Sequence, residues 1–358
     1  MDQISLGVLA IALGVAAGFV LFVPFVAVSY RRRGTLTFGR FALWAAFLVY
    51  FLAIWTYTLL PLPDPDTLRC VGTNLNVLEF VEDIRGAVAR PGNTLTDPAV
   101  LQLLFNVLLF LPLGFFLRVL GGRGILTALL VGLGLSLFIE TTQLTGVWGL
   151  YPCAYRVFDV DDMLTNTTGA VLGSLVAFVV PKRHRGYSAV ADPDAPRPVT
   201  RGRRFVAMLC DWLGTTIVTL AAGVGVQLWL EYVVGDHDAV LDGRISATVA
   251  AAAPLVVWLV VVLVTGGTIG DLAVELRYRG GPLPAAVARP LRFVGGIGGY
   301  LLLGLVPDWS GILVTLFGVV SIVLLFTTKN GRGLPGVLSG QAVVDARGIS
   351  RGTPVPPR

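Results

Sequence analysis

Charge is what this sequence has least of. Acidic and basic side chains make up 14% of its 358 residues, against roughly a quarter in a soluble domain, which excludes an ordinary cytosolic enzyme. Histidine occurs only at His184 and His237, and cysteine only at Cys70, Cys153 and Cys210. That supply offers no Cys/His constellation for zinc, and no metal or other cofactor is expected. Lysine is confined to Lys182 and Lys329, so arginine supplies the other 25 of the 27 basic residues. These arginines are not gathered into one soluble patch, so a net charge of +5 does not point to a nucleic-acid partner. The opening Met-Asp-Gln lacks the basic region of a cleaved signal, and the apolar run behind it reads as an anchor that stays.

What is present is hydrophobic: 55% of residues, with a mean hydropathy of +0.78. The composition excludes global disorder and points to a multi-pass protein whose first partner is the lipid bilayer. A span needs about 20 apolar residues. Segments 4–28, 41–60, 98–117, 124–145 and 162–180 meet or approach that length, followed by 205–233 and 245–265. Two closely spaced apolar segments, 293–306 and 309–327, complete the series; the first is short and glycine-rich, so a re-entrant course is the alternative to a crossing. The expected fold is an all-α polytopic transmembrane bundle of about nine spans, five before and about four after a Pro/Arg-rich linker. Domain boundaries follow at 1–181, 182–203 for the linker, 204–345, and 346–358 for a polar tail.

Loop charges set the orientation. With the amino terminus outside and the carboxyl terminus in the cytoplasm, cytoplasmic segments hold 22 of 27 basic residues and external ones 16 of 22 acidic residues. The reverse would break the positive-inside rule at nearly every loop. Cys70 and Cys153 then lie in two different external loops, an oxidising setting. They either form a disulfide or are two unpaired small residues.

The informative polar residues sit in or at the ends of spans three to five. Asn106 lies eight residues into the third. Glu140 and Gln143 stand three apart on one face of the fourth. Arg156 precedes the fifth, and Asp159, Asp162, Asn166, Gly169 and Gly173 fall at offsets of 0, 3, 7, 10 and 14, one helical face. Ionisable groups inside a span cost roughly 2.5 to 3.5 kcal/mol near the bilayer centre, so they normally face protein or a water-filled cavity. Glu140, Gln143, Asp162, Asn166 and Asn106 are expected around one space, with Arg156 as the nearest counter-charge. Such a group can hold a cationic or hydroxyl-rich ligand, a metal ion or exchangeable protons. Taken singly, each residue has a structural reading: Asp159 as a helix cap, Arg156 as an ion-pair partner, Asn106 as an interhelical bond.

The run Asn106-Val-Leu-Leu-Phe-Leu-Pro-Leu-Gly114 resembles the central signature of VanZ-like membrane proteins. Glu140-Thr-Thr-Gln143 and the stretch from Arg156-Val-Phe-Asp159 through Asp162 and Asn166 to Gly169 are similar to its later motifs. Asn76-Val-Leu-Glu-Phe80 is similar to a shorter one after the second span. The resemblance covers roughly residues 40–180 and adds Asn76 to the candidate ligand-binding set. It implies a bacterial cell membrane and a link to teicoplanin tolerance, with a cell-wall precursor, lipid-linked molecule or glycopeptide as partner.

Downstream, Arg204, Ala207 and Asp211 share one face at offsets 0, 3 and 7. An aspartate two turns inside a span needs a partner, and Arg277, Arg289, Arg292 and Arg332 are candidates; Arg204, Asp211 and Arg332 form the second candidate site, an ion or ion-pair site. The pattern resembles RDD-family domains. Gly267-Thr-Ile-Gly-Asp271 is similar to that family's turn, with an aspartate for the usual basic residue, and Arg332-Gly-Leu-Pro335-Gly336 is similar to its closing motif without the final acid. Some RDD proteins are linked to cation/proton exchange. Two function classes result: a non-catalytic envelope protein with an external polar pocket, and a cation- or proton-coupled transporter using Glu140 and Asp211. An enzyme is disfavoured because no nucleophile–base pair is evident.

Overall fold

In lipid an uncharged run can satisfy its amides only by coiling on itself, and the apolar segments do so. The computed structural model describes residues 3–186 and 195–347 and divides into two units. Among the described residues eight helices are long and apolar enough to cross a membrane. Their large apolar side chains turn outward, as at Leu126, Val264 and Ile312, which is the inverse of a water-soluble bundle.

The first unit comprises Met1–Gly18 and Thr37–Ser188. It contains the first half of α1 (Gln3–Arg33), then α2 (Phe38–Leu59), the surface helix α3 (Glu79–Ala89), α4 (Pro98–Val119), α5 (Ile125–Leu144), the short α6 (Gly146–Gly149) and α7 (Val160–Val176). Starts and stops follow local chemistry. Asp97 caps α4 through the Ala99 amide at 3.1 Å with Pro98 in the first turn, and α2 ends before Pro61. Helices α4 and α7 meet along glycines: a Cβ on Gly169 or Gly173 would run into the carbonyls of Val107 or Leu111, and one on Gly114 into that of Ala170. This seam is the small-residue packing expected from Gly169 and Gly173. Strand β1 (Thr73–Asn74) pairs in parallel with β2 (Phe158–Asp159). A Cys70–Cys153 disulfide fastens the same two loops, resolving the alternative the sequence left open.

The second unit comprises Phe19–Leu36 and Ala189–Arg358. It contains α8 (Arg201–Trp229), α9 (His237–Asp242), α10 (Arg244–Thr265), α11 (Ile269–Ala273), α12 (Ala285–Gly295), α13 (Ile297–Leu303), α14 (Ser310–Thr327) and α15 (Gly333–Ser339). The antiparallel strands β3 (Leu276–Arg279) and β4 (Ala342–Asp345) close one end. The end of α1 joins this unit because Arg347 donates to the Tyr30 carbonyl, Arg197 to that of Arg33, and Arg31 pairs with Glu275. Helix α8 begins at Arg201, capped by Thr200, so the last residues expected in the linker are helical. Much of the linker and of the tail, at 187–194 and 348–358, lies outside the described residues. The segment expected at 293–306 is a broken helix, α12 and α13 parted at Gly296. It is absent from the eight span-length helices because neither piece is long enough.

Candidate functional site

The outer cluster of the first unit is assembled by two loops. The β1–β2 pairing sets Asn74 beside Asp159, and the Asn74 side-chain amide donates to the Asp159 carboxylate at 3.2 Å. Asp159 also accepts from the Asp161 amide at 2.8 Å, so it is the N-cap of α7. Asp161 performs a longer-range task. Its two oxygens accept the backbone amides of Leu78 at 2.7 Å and Phe80 at 2.9 Å. Leu78 is the left-handed residue before α3 and has no side-chain cap of its own. Asp161 supplies that cap from across the fold, with its charge on the favourable end of the helix dipole.

Around this frame α4, α5 and α7 each contribute polar side chains. Asn106 on α4 donates to the Asp162 carboxyl at 2.5 Å, and Gln102 hydrogen-bonds the same group. Glu140 on α5 is buried and accepts the Asp159 backbone amide at 3.0 Å. Its electrostatic neighbours are Asp162, Asp159 and Arg156. Ser136, one turn before Glu140, accepts from the Asn166 side-chain nitrogen at 2.9 Å, while the Asn166 oxygen is buried without a hydrogen-bond partner. Gln143 donates to the Thr58 carbonyl at 2.7 Å, tying α5 to the end of α2.

The sequence-derived set therefore divides. Asn106, Glu140, Asp162 and Asn166 converge. Gln143 and Asp159 hold the walls. Arg156 is half-buried and donates to the Leu60 carbonyl at 3.2 Å, and it forms no ion pair with either aspartate among the described residues. A carbonyl at the end of α2 is simply within its reach. Asn76 is exposed and donates to Glu79 at 3.3 Å, away from the cluster. Nearby, burial pushes the Tyr155 phenol upward, with Arg156 opposing, and its hydroxyl donates to the Leu59 carbonyl. Ser136, Gln102 and Asp161 were not among the sequence-derived candidates. Ser136 could have been found from its spacing of four and seven to Glu140 and Gln143.

The second candidate site is differently wired from its expectation. Arg204 pairs with Asp271, not Asp211, and donates to the Tyr278 hydroxyl at 2.8 Å. Asp211 needs no arginine, since it accepts from the Trp258 indole at 2.8 Å, the Thr268 hydroxyl at 2.5 Å and the Gly270 amide at 2.8 Å. Gly270 permits this approach, as a Cβ there would meet the Ala207 carbonyl. Asp271 also closes a capping box with Thr268, which explains an acid where a base was the familiar residue. Arg332 is half-buried and joins neither carboxylate; its Nε is buried without a hydrogen-bond partner.

Long apolar helices around an inward polar cluster define a multi-pass α-helical membrane protein. Residues 47–181 match the VanZ/LLP1 family model, so the first unit carries a VanZ-like region. That span includes every residue of the outer cluster. No curated protein and no solved structure matches the chain.

Proposed function

We propose that the chain is a bacterial cell-membrane protein whose VanZ-like unit binds a cationic or hydroxyl-rich group of a cell-envelope molecule or glycopeptide antibiotic, contributing to teicoplanin-type tolerance. The observation that carries the reading is that Glu140 and Asp162 lie together in the bundle held by neutral donors, with no lysine or arginine bonded to either among the described residues. Glu140 accepts one backbone amide and Asp162 two side-chain amides, fewer donors than the three that hold Asp211 in the second unit, and the unpartnered Asn166 oxygen adds an acceptor beside them. The chain crosses nine times with the amino terminus outside, and the second unit is RDD-like. Three features support this topology. The Cys70–Cys153 bond suits an oxidising exterior. Arg204 at the start of α8 donates to Gly331 just past α14, so those two points share one end of the second unit. Arg292 in α12 reaches Gly266 just past α10, which supports a crossing by α12–α13 before α14 returns the chain.

The test is deletion and re-expression scored for teicoplanin against vancomycin sensitivity. Glu140→Ala or Asp162→Ala is expected to abolish restored tolerance while the protein still reaches the membrane. Wild-type tolerance in both variants refutes the reading.

A further inference from the structure

The glycine-rich, mixed-charge stretch 266–292 has no part in the outer cluster, yet it supplies four arginines to one cavity of the second unit. A cavity of about 570 Å³ is lined by Arg277, Arg279, Arg289 and Arg292 with Tyr278 and Gln341, and among the described residues no carboxylate lines it. Three of these arginines also serve the end of α10: Arg289 donates to the Leu263 carbonyl, Arg277 to Thr265 and Arg292 to Gly266. Satisfying helix-end carbonyls is the ordinary use of such residues. Here the supply exceeds the need. A helix terminus carries about half a unit of negative charge, against four guanidinium groups. The carboxylates nearest in the fold are already taken, Asp271 by Arg204, Asp345 by Arg203 and Arg347, and Glu275 by Arg31. The four arginines make no ion pair among the described residues; Arg277 and Arg289 each commit Nη1 to the helix end, and Arg292 does the same while lying over the Tyr278 ring at 5.0 Å and within electrostatic reach of Asp271.

A second cavity, of about 280 Å³, adjoins the first and shares Gly266, Tyr278 and Arg292 with it. Beyond that shared wall Arg204, Asp211, Thr268 and Asp271, already bonded to one another or to Trp258, line part of it, and the rest is mainly apolar, including Met208, Phe317, Ile322 and Leu325. A basic chamber beside a mainly apolar one, in a chain of span-length helices, matches one chemistry: a phosphate head with a hydrocarbon chain. We infer that the second unit binds an anionic phospholipid, its headgroup phosphate among Arg277, Arg279, Arg289 and Arg292 and an acyl chain in the adjoining apolar cavity. In the topology proposed above the lipid belongs to the cytoplasmic leaflet. The inference does not depend on what the outer cluster binds.

The test uses the full chain in detergent, with lipid retention read by native mass spectrometry for phosphatidylglycerol and phosphatidylcholine, and inorganic phosphate binding measured separately. Wild type is expected to retain phosphatidylglycerol about tenfold over phosphatidylcholine, and Arg277→Gln with Arg289→Gln to remove that preference. Because those two side chains also cap α10, Arg279→Gln provides a gentler variant. Arg279 is exposed and its side chain makes no internal bond among the described residues; a severalfold fall is expected. Gly318→Leu projects into open space on the apolar cavity wall and should lower phosphatidylglycerol retention while inorganic phosphate binding is unchanged. Equal retention of the two lipids by wild type overturns the inference, as does unchanged retention in both arginine variants. Unchanged phosphatidylglycerol retention in Gly318→Leu would make this a free-phosphate site and equally overturn it.

Discussion

Asp161 offers a sharp perturbation, because its two oxygens hold a loop from 81 and 83 residues away. In Asp161→Ala the amides of Leu78 and Phe80 both lose a charged acceptor. A hydrogen bond to a charged group contributes about 1.5 to 3 kcal/mol, which for two gives about 3 to 6. The lower end applies, since Leu78 is exposed and water can replace part of the loss. About 3 kcal/mol corresponds to roughly a hundredfold in a local opening equilibrium. Hydrogen exchange of the peptide covering residues 73–90, with the protein in nanodiscs, should accelerate by that factor. Asp161→Asn keeps one acceptor and should fall between. Asp162→Ala is the control, because Asp162 bonds Asn106 on α4 and not this loop. The Cys70–Cys153 bond keeps the loop tethered, so the effect should be confined to β1 and α3. Exchange within threefold of wild type in Asp161→Ala would refute the capping role, and so would equal acceleration in Asp162→Ala.

Other outcomes follow from single features. The disulfide closes an 83-residue separation, for which chain entropy gives about 4.5 kcal/mol, an upper bound because spans α4 and α5 keep the loop ends close in any membrane-inserted state. A membrane-impermeant maleimide should label Cys70 and Cys153 on intact cells only after reduction, and labelling without reductant would contradict the bond. Gly173→Val should drive α4 from α7 at a cost of about 1 to 3 kcal/mol or more, seen as loss of monodisperse protein on size-exclusion chromatography. Gly134→Val, whose added carbon meets nothing, should leave the profile unchanged. Arg203→Gln leaves Asp345 with a weaker partner in a buried pair at 2.7 Å; a loss of about 3 to 5 kcal/mol should appear as a clear drop in thermal stability in detergent.

The long helices were legible because lipid demands uninterrupted apolar runs, and their ends because Asp97, Pro98 and Thr200 are local signals. The face of α7 was legible for the same reason: a period of 3.6 placed Asp162 and Asn166 together, and Asn106 and Ser136 are their partners. Rules of spacing say nothing about contacts between distant loops. That is why Asp161 went unrecognised, one position off the polar face yet aimed at Leu78. It is also why Arg204 was expected near Asp211 and was found on Asp271: the arginine sits two turns from Asp211 along α8, but the turn after α10 folds back beside it. The division of α1 was equally hidden, since it depends on Arg197 and Arg347, more than 160 residues downstream.

The partner types separate the roles of the carboxyl groups better than their depth does. Among the described residues each buried carboxyl group of the second unit is answered, Asp271 and Asp345 by arginine and Asp211 by three neutral donors at once. That is the wiring of a structural lock. In the first unit Asp159 and Asp161 are answered in the same way, by amides at helix starts. Glu140 and Asp162 are not. Glu140 has one backbone donor, Asp162 has side-chain amides only, and Arg156, the cation in electrostatic reach of Glu140, spends its hydrogen bond on a carbonyl. If that shortfall were merely tolerated, Glu140→Gln with Asp162→Asn should stabilise the protein by removing two poorly matched acids. If it reserves acceptors for an external group, the double variant should gain thermal stability and lose tolerance together. Gain with tolerance intact would assign the pair to packing alone.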